Sequence, residues 1–465
     1  MSSASLVLTA LVAVLLLGGL IRILLVRQMD GRVSMWVGVF GFLLALVLAL
    51  VLLRMPASSL LGVAGADVFT AFFAILISAC GLIGSLGELW GRFGRRSAPP
   101  PGYEMAVAAG LVLLVASSNL WLLAALVVIG YGSAVLWLRG RKHGQRSAAG
   151  ISAAILATVV GCLLVGYGSD GAYAALQGVH PGATVGLGRD LGLLLILLGL
   201  GPVIGLFPFQ WVQTKLWLDS GQGADRYVML AAMGAAGLGA AVRLGMVGFP
   251  GSQPLWGIYL GMAGATTVTL TNVLGLAERR PSGRLTRVQA SQWGYAACAL
   301  VSVGLGGGAA LFALTATAAT VIVAVAAEAG AVRSTPGRTL GKGAPATKSN
   351  TWVTGGTIVA LMSAAAVPPM AGFFARYFVF ASVLDAGIYW LALVLALNTA
   401  VGWLLAAQPL RSLVQEGVSE ASPQPLTWGP GAVAAVGGLC VGAWGLFSGP
   451  LALAATTGIR LMLHR

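Results

Sequence analysis

Long apolar runs recur along the whole chain, and they constrain the fold more than any other feature. The first run reads SLVLTALVAVLLLGGLIRILLV, and comparable runs follow it to the end of the chain. A helix of about 20 such residues crosses the roughly 30 Å of hydrocarbon in a bilayer. Only 9% of the residues are charged, against about 25% in soluble domains. The pattern predicts an all-α polytopic membrane protein, with the first run as a span and not a cleaved leader.

The apolar runs predict about fourteen transmembrane helices in one membrane domain, residues 1–465. Spans 1–3 fall within residues 1–100, and span 14 falls within 411–465. The turn between the fourth and fifth spans is placed at SSN, residues 117–119. The predicted spans are 5–26, 33–54, 68–89, 104–118, 119–138, 148–168, 190–216, 227–247, 254–276, 286–305, 307–330, 352–383, 387–407 and 430–459.

The net charge of +14 follows from the orientation of the chain in the membrane and does not indicate nucleic-acid binding. Most Lys and Arg residues fall in connections after odd-numbered spans, whereas the connections after even-numbered spans hold only Arg54 and Arg189. Basic residues concentrate in cytoplasmic loops. We therefore expect odd-numbered connections on the cytoplasmic side and both termini on the outer side.

The four cysteines do not suggest a cofactor site. They are scattered through apolar runs without metal-ligand or disulfide spacing, and we interpret them as core packing. The sequence also lacks a Gly-rich nucleotide loop and a His or Cys cluster, so no cofactor and no metal is expected on this chain. The cysteines are Cys80, Cys162, Cys298 and Cys440.

Two predicted spans are interrupted by prolines. The seventh is broken at Pro202 and Pro208, and the twelfth at Pro368 and Pro369. The two spans lie five apart, an odd number, so they cross the membrane in opposite directions. Broken helices at matching places in two oppositely oriented halves are typical of inverted repeats with a central site. We predict two inverted five-helix repeats, spans 4–8 within residues 101–250 and spans 9–13 within 251–410, with ordinary proline kinks as the alternative.

The motifs at these breaks resemble those of a known family. The twelfth span reads PPMAGFFARYFVF, the seventh PVIGLFPFQWVQTK, and the tenth GRLTRVQASQWGY. Over roughly residues 60–410 the chain resembles the antiporter-like membrane subunits of respiratory complex I, above all the N-type subunit of bacterial NADH–quinone oxidoreductase. The family also includes cation/proton antiporter and membrane-bound hydrogenase subunits.

The resemblance implies a place in a larger assembly in the bacterial inner membrane, with both termini periplasmic. The expected partners are lipid and the other membrane subunits of a complex I-like assembly. NADH, FMN, Fe–S clusters and quinone would then belong to partner subunits.

The chain departs from the family at the titratable positions that carry protons. The expected Glu, Lys, Lys, His and His correspond to Val128, Val203, Gly234, Gln210 and Gln292. Only the twelfth-span lysine keeps a charge, as Arg376. A proton relay needs groups whose pKa approaches 7, whereas arginine stays protonated. This predicts a degenerate proton channel and no catalytic residue.

The remaining polar residues of the spans are weaker candidates for a proton path. Arg376 is either a fixed charge that holds water or carbonyls at the break, or a snorkelling or paired arginine. Lys215 replaces a lost lysine or anchors the cytoplasmic interface, and Arg243 is interpreted as snorkelling. Gln210 and Gln292 hold water without taking a proton.

The acidic residues offer few ionic partners for these cations. Glu328 is the candidate partner in the second repeat, and Glu88 and Glu104 are interpreted as markers of helix ends.

Three functions remain open from the sequence. The first is a largely structural subunit of a quinone-linked, proton-translocating assembly. The second is a subunit that still moves protons through Lys215, Arg376 and water. The third is a stand-alone secondary transporter of a small or anionic solute.

Overall fold

The computed structural model of the chain is almost entirely helical. The described residues are 2–28, 31–89, 102–139, 145–167, 170–177, 183–212, 231–278, 281–302, 304–333, 351–417, 428–446 and 449.

The first half of the described chain contains eight helices, a short hairpin and a single helical turn, Tyr173–Leu176. The helices are α1 (Ser3–Gln28), α2 (Gly31–Leu52), α3 (Val68–Leu89), α4 (Tyr103–Ala116), α5 (Leu120–Arg139), α6 (Gln145–Gly166), α7 (Ala183–Ile204) and α8 (Met233–Arg243). A π-helical turn, Leu244–Gly248, continues α8.

The second half of the described chain contains seven helices. Short 3₁₀ turns, Pro250–Ser252 and Ala299–Val301, flank its first two helices. The helices are α9 (Gln253–Ala277), α10 (Pro281–Cys298), α11 (Gly306–Arg333), α12 (Thr351–Ala364), α13 (Ala371–Asp385), α14 (Tyr389–Gly417) and α15 (Trp428–Leu446).

Each predicted span contains a helix among its described residues, and the twelfth span is split into α12 and α13 as its prolines predicted. Among the described residues, eight helices are long and apolar enough to cross a membrane, and four more apolar helices are shorter. The polytopic all-α fold is therefore confirmed, while the count of fourteen crossings stays a prediction.

Helix α7 begins at Ala183 and not at the predicted residue 190. The predicted span left Arg189 in the connection before it. In the fold, the Arg189 guanidinium donates a hydrogen bond to the Leu176 carbonyl at 2.6 Å and lies over the Phe249 ring at 4.9 Å. These contacts allow the helix to include the charge.

A small hairpin joins α2 to α3 and was not predicted. Strands β1 (Ser58–Leu60) and β2 (Ala64–Ala66) pair antiparallel. Leu61 lies at the turn with a φ of 54° and is 84% exposed. The hairpin also contacts the α4–α5 turn, because the Ser118 N–H donates to the Val63 carbonyl at 2.8 Å. The prediction missed it because hydropathy detects spans and not short strands.

Helix neighbours recur between the two halves of the chain. In the first half α4 packs on α8, α5 on α6, and α6 on α7. In the second half α9 packs on α14, α10 on α11, and α11 on both α12 and α13. Such recurrence is what a five-helix repeat predicts.

Glycines let two helix pairs approach closely. A Cβ at Gly161 of α6 would lie 2.6 Å from the Gly192 carbonyl oxygen of α7. A Cβ at Gly264 of α9 would lie 2.5 Å from the Gly294 carbonyl oxygen of α10. Small residues at such contacts provide the packing that drives helix association in lipid.

Candidate functional site: two broken helices and three buried arginines

The first broken helix is interrupted after α7, where Gly205 has a φ of 83°. The Tyr131 hydroxyl of α5 lies at this break: it accepts a hydrogen bond from the Val203 N–H at 3.1 Å and donates one to the Gly199 carbonyl at 3.0 Å. A regular helix joins these two groups directly. The inserted phenol, together with Pro202 inside the helix, accounts for the end of α7.

Thr267, from the second half of the chain, accepts a backbone hydrogen bond at the first break. The Phe207 N–H donates to the Thr267 hydroxyl of α9 at 2.7 Å, and the peptide bond between Phe207 and Pro208 is cis. Gln210 follows and is buried. Lys215, the basic residue predicted beyond this break, lies outside the described residues.

The second broken helix is interrupted between α12 and α13. The backbone turns at Ala366, which has a φ of 58°, and the peptide bond between Pro368 and Pro369 is cis. The Gly372 N–H of α13 donates to the Ser363 hydroxyl of α12 at 3.2 Å. Any Cβ at Gly372 would overlap the Ser363 carbonyl oxygen, so this close approach requires glycine.

The two half-helices pack on a neighbouring span at this point. The Ser363 hydroxyl is 2.8 Å from the Thr320 hydroxyl of α11. Glu328, the predicted ionic partner, lies further along α11, but its side chain lies outside the described part of the chain.

The guanidinium of Arg376 lies at the second break. Its side chain is only 4% exposed, and Nη2 donates to the Ala364 carbonyl, the last residue of α12, at 2.6 Å. Gln292 of α10 donates to the same carbonyl at 3.1 Å. The guanidinium lies 4.5 Å over the Tyr295 ring. The C-terminal end of a helix carries partial negative charge, so the arginine faces a favourable dipole and does not snorkel to an interface.

Arg243 does not snorkel either, and that expectation is wrong. It is buried, and its Nη1 and Nη2 donate to the two carboxylate oxygens of Asp67 at 2.8 and 2.7 Å. Nη2 also donates to the Thr70 hydroxyl at 2.9 Å, and the guanidinium lies 5.1 Å over the Phe69 ring. This bidentate pair ties the end of α8 to the start of α3.

Asp67 lies just outside the span formed by α3. Burial alone would raise the pKa of this carboxyl group, but the charge and hydrogen bonds of Arg243, with the Thr70 N–H, hold the pKa below its ordinary value. The carboxylate is therefore ionised at neutral pH.

Glu88 and Glu104 do more than mark helix ends, which corrects the prediction. Both bind Arg22 of α1, which is buried: Nη2 lies 2.5 Å from a Glu88 oxygen, and Nη1 donates to Glu104. The other Glu104 oxygen accepts from the Gly102 N–H at 2.9 Å. The cluster joins α1, α3 and α4. A lone arginine inside the first span was the signal in the sequence, and the prediction gave it no role.

The expected lysine of the eighth span has no room in this fold. Gly234 of α8 packs against the fully buried indole of Trp293, and a Cβ there would lie 2.6 Å from the ring atom Cε2. Val203 is buried at the first break, and Val128, the position expected to hold the glutamate, is 41% exposed on the outer surface of α5.

The cysteines fit core packing at three of four positions. Cys80, Cys162 and Cys298 are buried, whereas Cys440 on α15 is exposed, so the prediction is wrong there. Among the described residues, no group of three or more His, Cys, Asp or Glu side chains has the geometry to hold a metal ion.

The family described as "NADH:quinone oxidoreductase/Mrp antiporter, TM" matches residues 116–402, a range that contains both broken helices. The chain belongs to this family. NADH-quinone oxidoreductase subunit N of Dehalococcoides mccartyi is 27% identical over 363 residues, which cover 72% of this chain and 74% of the relative.

Solved structures share the fold over nearly the whole chain. A chain of respiratory complex I from Thermus thermophilus, with bound aureothin, has a TM-score of 0.72 at 21% identity and covers 96% of this chain and 99% of its own. A chain of an archaeal membrane-bound sulfane sulfur reductase has a TM-score of 0.80 at 16% identity and covers 97% of both chains.

Proposed function

We propose that this chain is an antiporter-like, N-type membrane-arm subunit of a complex I-type quinone oxidoreductase, that its own proton channel is degenerate, and that its role is largely structural. Family membership and the subunit N relative support the place in such an assembly. The NADH, FMN, Fe–S and quinone chemistry then belongs to partner subunits.

The packing of Trp293 on Gly234 carries the proposal of a degenerate channel. An indole fills the place in which the family resemblance expects a titratable lysine. Among the described residues, the buried charged side chains are Arg22, Glu104, Arg243 and Arg376. Three are arginines, which hold their proton, and the glutamate is bound to Arg22. A proton relay built from these side chains would lack a group that both takes up and releases a proton.

A still-active translocating subunit is the second candidate. The broken helices favour it, because Gln210 and Gln292 are buried beside them and would hold water. In that case Arg376, with Lys215, would stabilise charge along a hydrated path, and neighbouring subunits would supply the titratable groups.

Reconstituted vesicles distinguish these two candidates. We expect the purified assembly with Arg376→Gln or Lys215→Ala to keep the number of protons pumped per quinone reduced. Native electrophoresis serves as the control for assembly. If the ratio falls with the assembly intact, the chain itself conducts protons. If the chain purifies alone, without redox subunits, the proposed assembly is wrong.

We also propose a bacterial inner-membrane location with both termini periplasmic, which places the β1–β2 hairpin outside. The basic residues of the odd-numbered connections support this orientation. In a variant without accessible cysteines, Leu61→Cys is expected to react with a membrane-impermeant maleimide from the periplasmic side. Labelling only in inverted vesicles would reverse the orientation.

A further inference from the structure

Arg376 differs from the other two buried arginines in its charge partners. Arg22 and Arg243 each bind carboxylates. Arg376 is only 4% exposed, yet it forms no ion pair within the described part of the chain. Its Nε and Nη1 have no hydrogen-bond partner there. Its polar contacts are the Ala364 carbonyl and the face of the Tyr295 ring.

A buried charge of this kind requires a counter-charge. In a low-dielectric interior, charged groups are paired with an opposite charge or hydrated. The end of α12 supplies about half an elementary negative charge at most. Arg376 also lies in the second turn of α13, whose N-terminal end carries partial positive charge of similar size. A full positive charge on the guanidinium therefore exceeds what the end of α12 compensates.

The end of the Arg376 guanidinium lies against Gly402 of α14. A Cβ built there would lie 3.5 Å from Nη1 and 3.6 Å from Nη2 of Arg376. The end of the guanidinium, with N–H groups on both nitrogens, thus faces a position at which this chain has no side chain.

We propose that the break between α12 and α13 binds a small inorganic anion, such as chloride, held by the end of the Arg376 guanidinium beside Gly402. The anion neutralises the buried charge and stabilises the two half-helices. Because the site is enclosed, it selects small, weakly hydrated anions and excludes large organic carboxylates.

Thermal unfolding of the detergent-solubilised assembly that contains the full chain tests this site. The melting temperature is compared in sodium chloride, in sodium bromide and in sodium gluconate of equal ionic strength. An anion at ten times its dissociation constant is expected to raise the melting temperature by about 2 °C. Arg376→Gln is expected to abolish that difference.

A matched pair of variants at Gly402 tests the proposal even if Arg376→Gln fails to fold. Gly402→Asp places a carboxylate within reach of the guanidinium, so the melting temperature is expected to become independent of chloride. Gly402→Asn has the same size without the charge and is expected to retain part of the dependence. An equal chloride effect in Gly402→Asp and the unaltered chain, or no effect in either, overturns the proposal.

Bromide also gives a direct measurement. In crystals grown with bromide, an anomalous peak is expected within about 3.5 Å of Nη1 of Arg376, and it should disappear in Gly402→Asp. Absence of the peak in the unaltered chain contradicts the proposal.

Discussion

The bidentate pair between Arg243 and Asp67 makes the sharpest prediction about stability. Removing one member of a buried ion pair costs about 3–5 kcal/mol, because the remaining charge loses its partner. Asp67 is 20% exposed, so water compensates in part. We therefore expect Arg243→Met, which leaves Asp67 unpaired, to lower the free energy of unfolding by about 3 kcal/mol. Asp67→Leu leaves Arg243, which is only 4% exposed, and should lie at the upper end of the range.

The double variant distinguishes the charge pair from ordinary packing. When both charges are replaced by apolar side chains, neither is left unpaired. The sum of the two single losses is therefore expected to exceed the loss in the double variant by about 2–3 kcal/mol. The free energy of unfolding is measured by SDS titration in mixed micelles. Asp170→Asn, at an exposed position, is the control and should change stability by less than about 0.5 kcal/mol.

Additive losses in this cycle would refute the reasoning. Additivity would mean that Asp67 and Arg243 contribute independently to stability, contrary to their hydrogen-bond distances of 2.7 and 2.8 Å.

Three further predictions follow from single contacts. Because the pKa of Asp67 is lowered by folding, its stabilising effect is present above its ordinary value of 3.8 and is lost as the pH falls below it; Asp67→Leu should flatten the acid limb of a stability–pH curve. Gly372→Ala should cost about 3 kcal/mol or more through overlap with Ser363, whereas Gly355→Ala, with open space around it, should leave the melting temperature unchanged. Tyr131→Phe removes two hydrogen bonds at the first break and should cost about 1–2 kcal/mol, measured by the same titration.

The span positions and both breaks were predictable because they depend on local properties. Hydrocarbon thickness determines how long an apolar run must be, and proline removes a backbone donor wherever it occurs in a helix. The same locality explains the error at α7. The predicted span began after Arg189, but Arg189 lies inside α7 and donates to a carbonyl of the preceding helical turn, Tyr173–Leu176.

The partners of the buried charges depended on contacts distant in sequence. Asp67 and Arg243 are 176 residues apart, and Arg22 and Glu104 are 82 apart. No periodicity within a span joins such residues. The sequence showed that each was charged within or near an apolar segment, and only helix packing determined which charges met.

Arg376 shows the same division at the candidate site. The sequence alone determined that a permanent charge follows a double proline within a membrane span, because residue type and spacing are sufficient for that conclusion. Only the tertiary structure decided that the guanidinium meets a helix carbonyl, an aromatic face and the bare backbone of Gly402. The physical reason is that those three neighbours come from three different helices, so their convergence depends on packing and not on any local pattern.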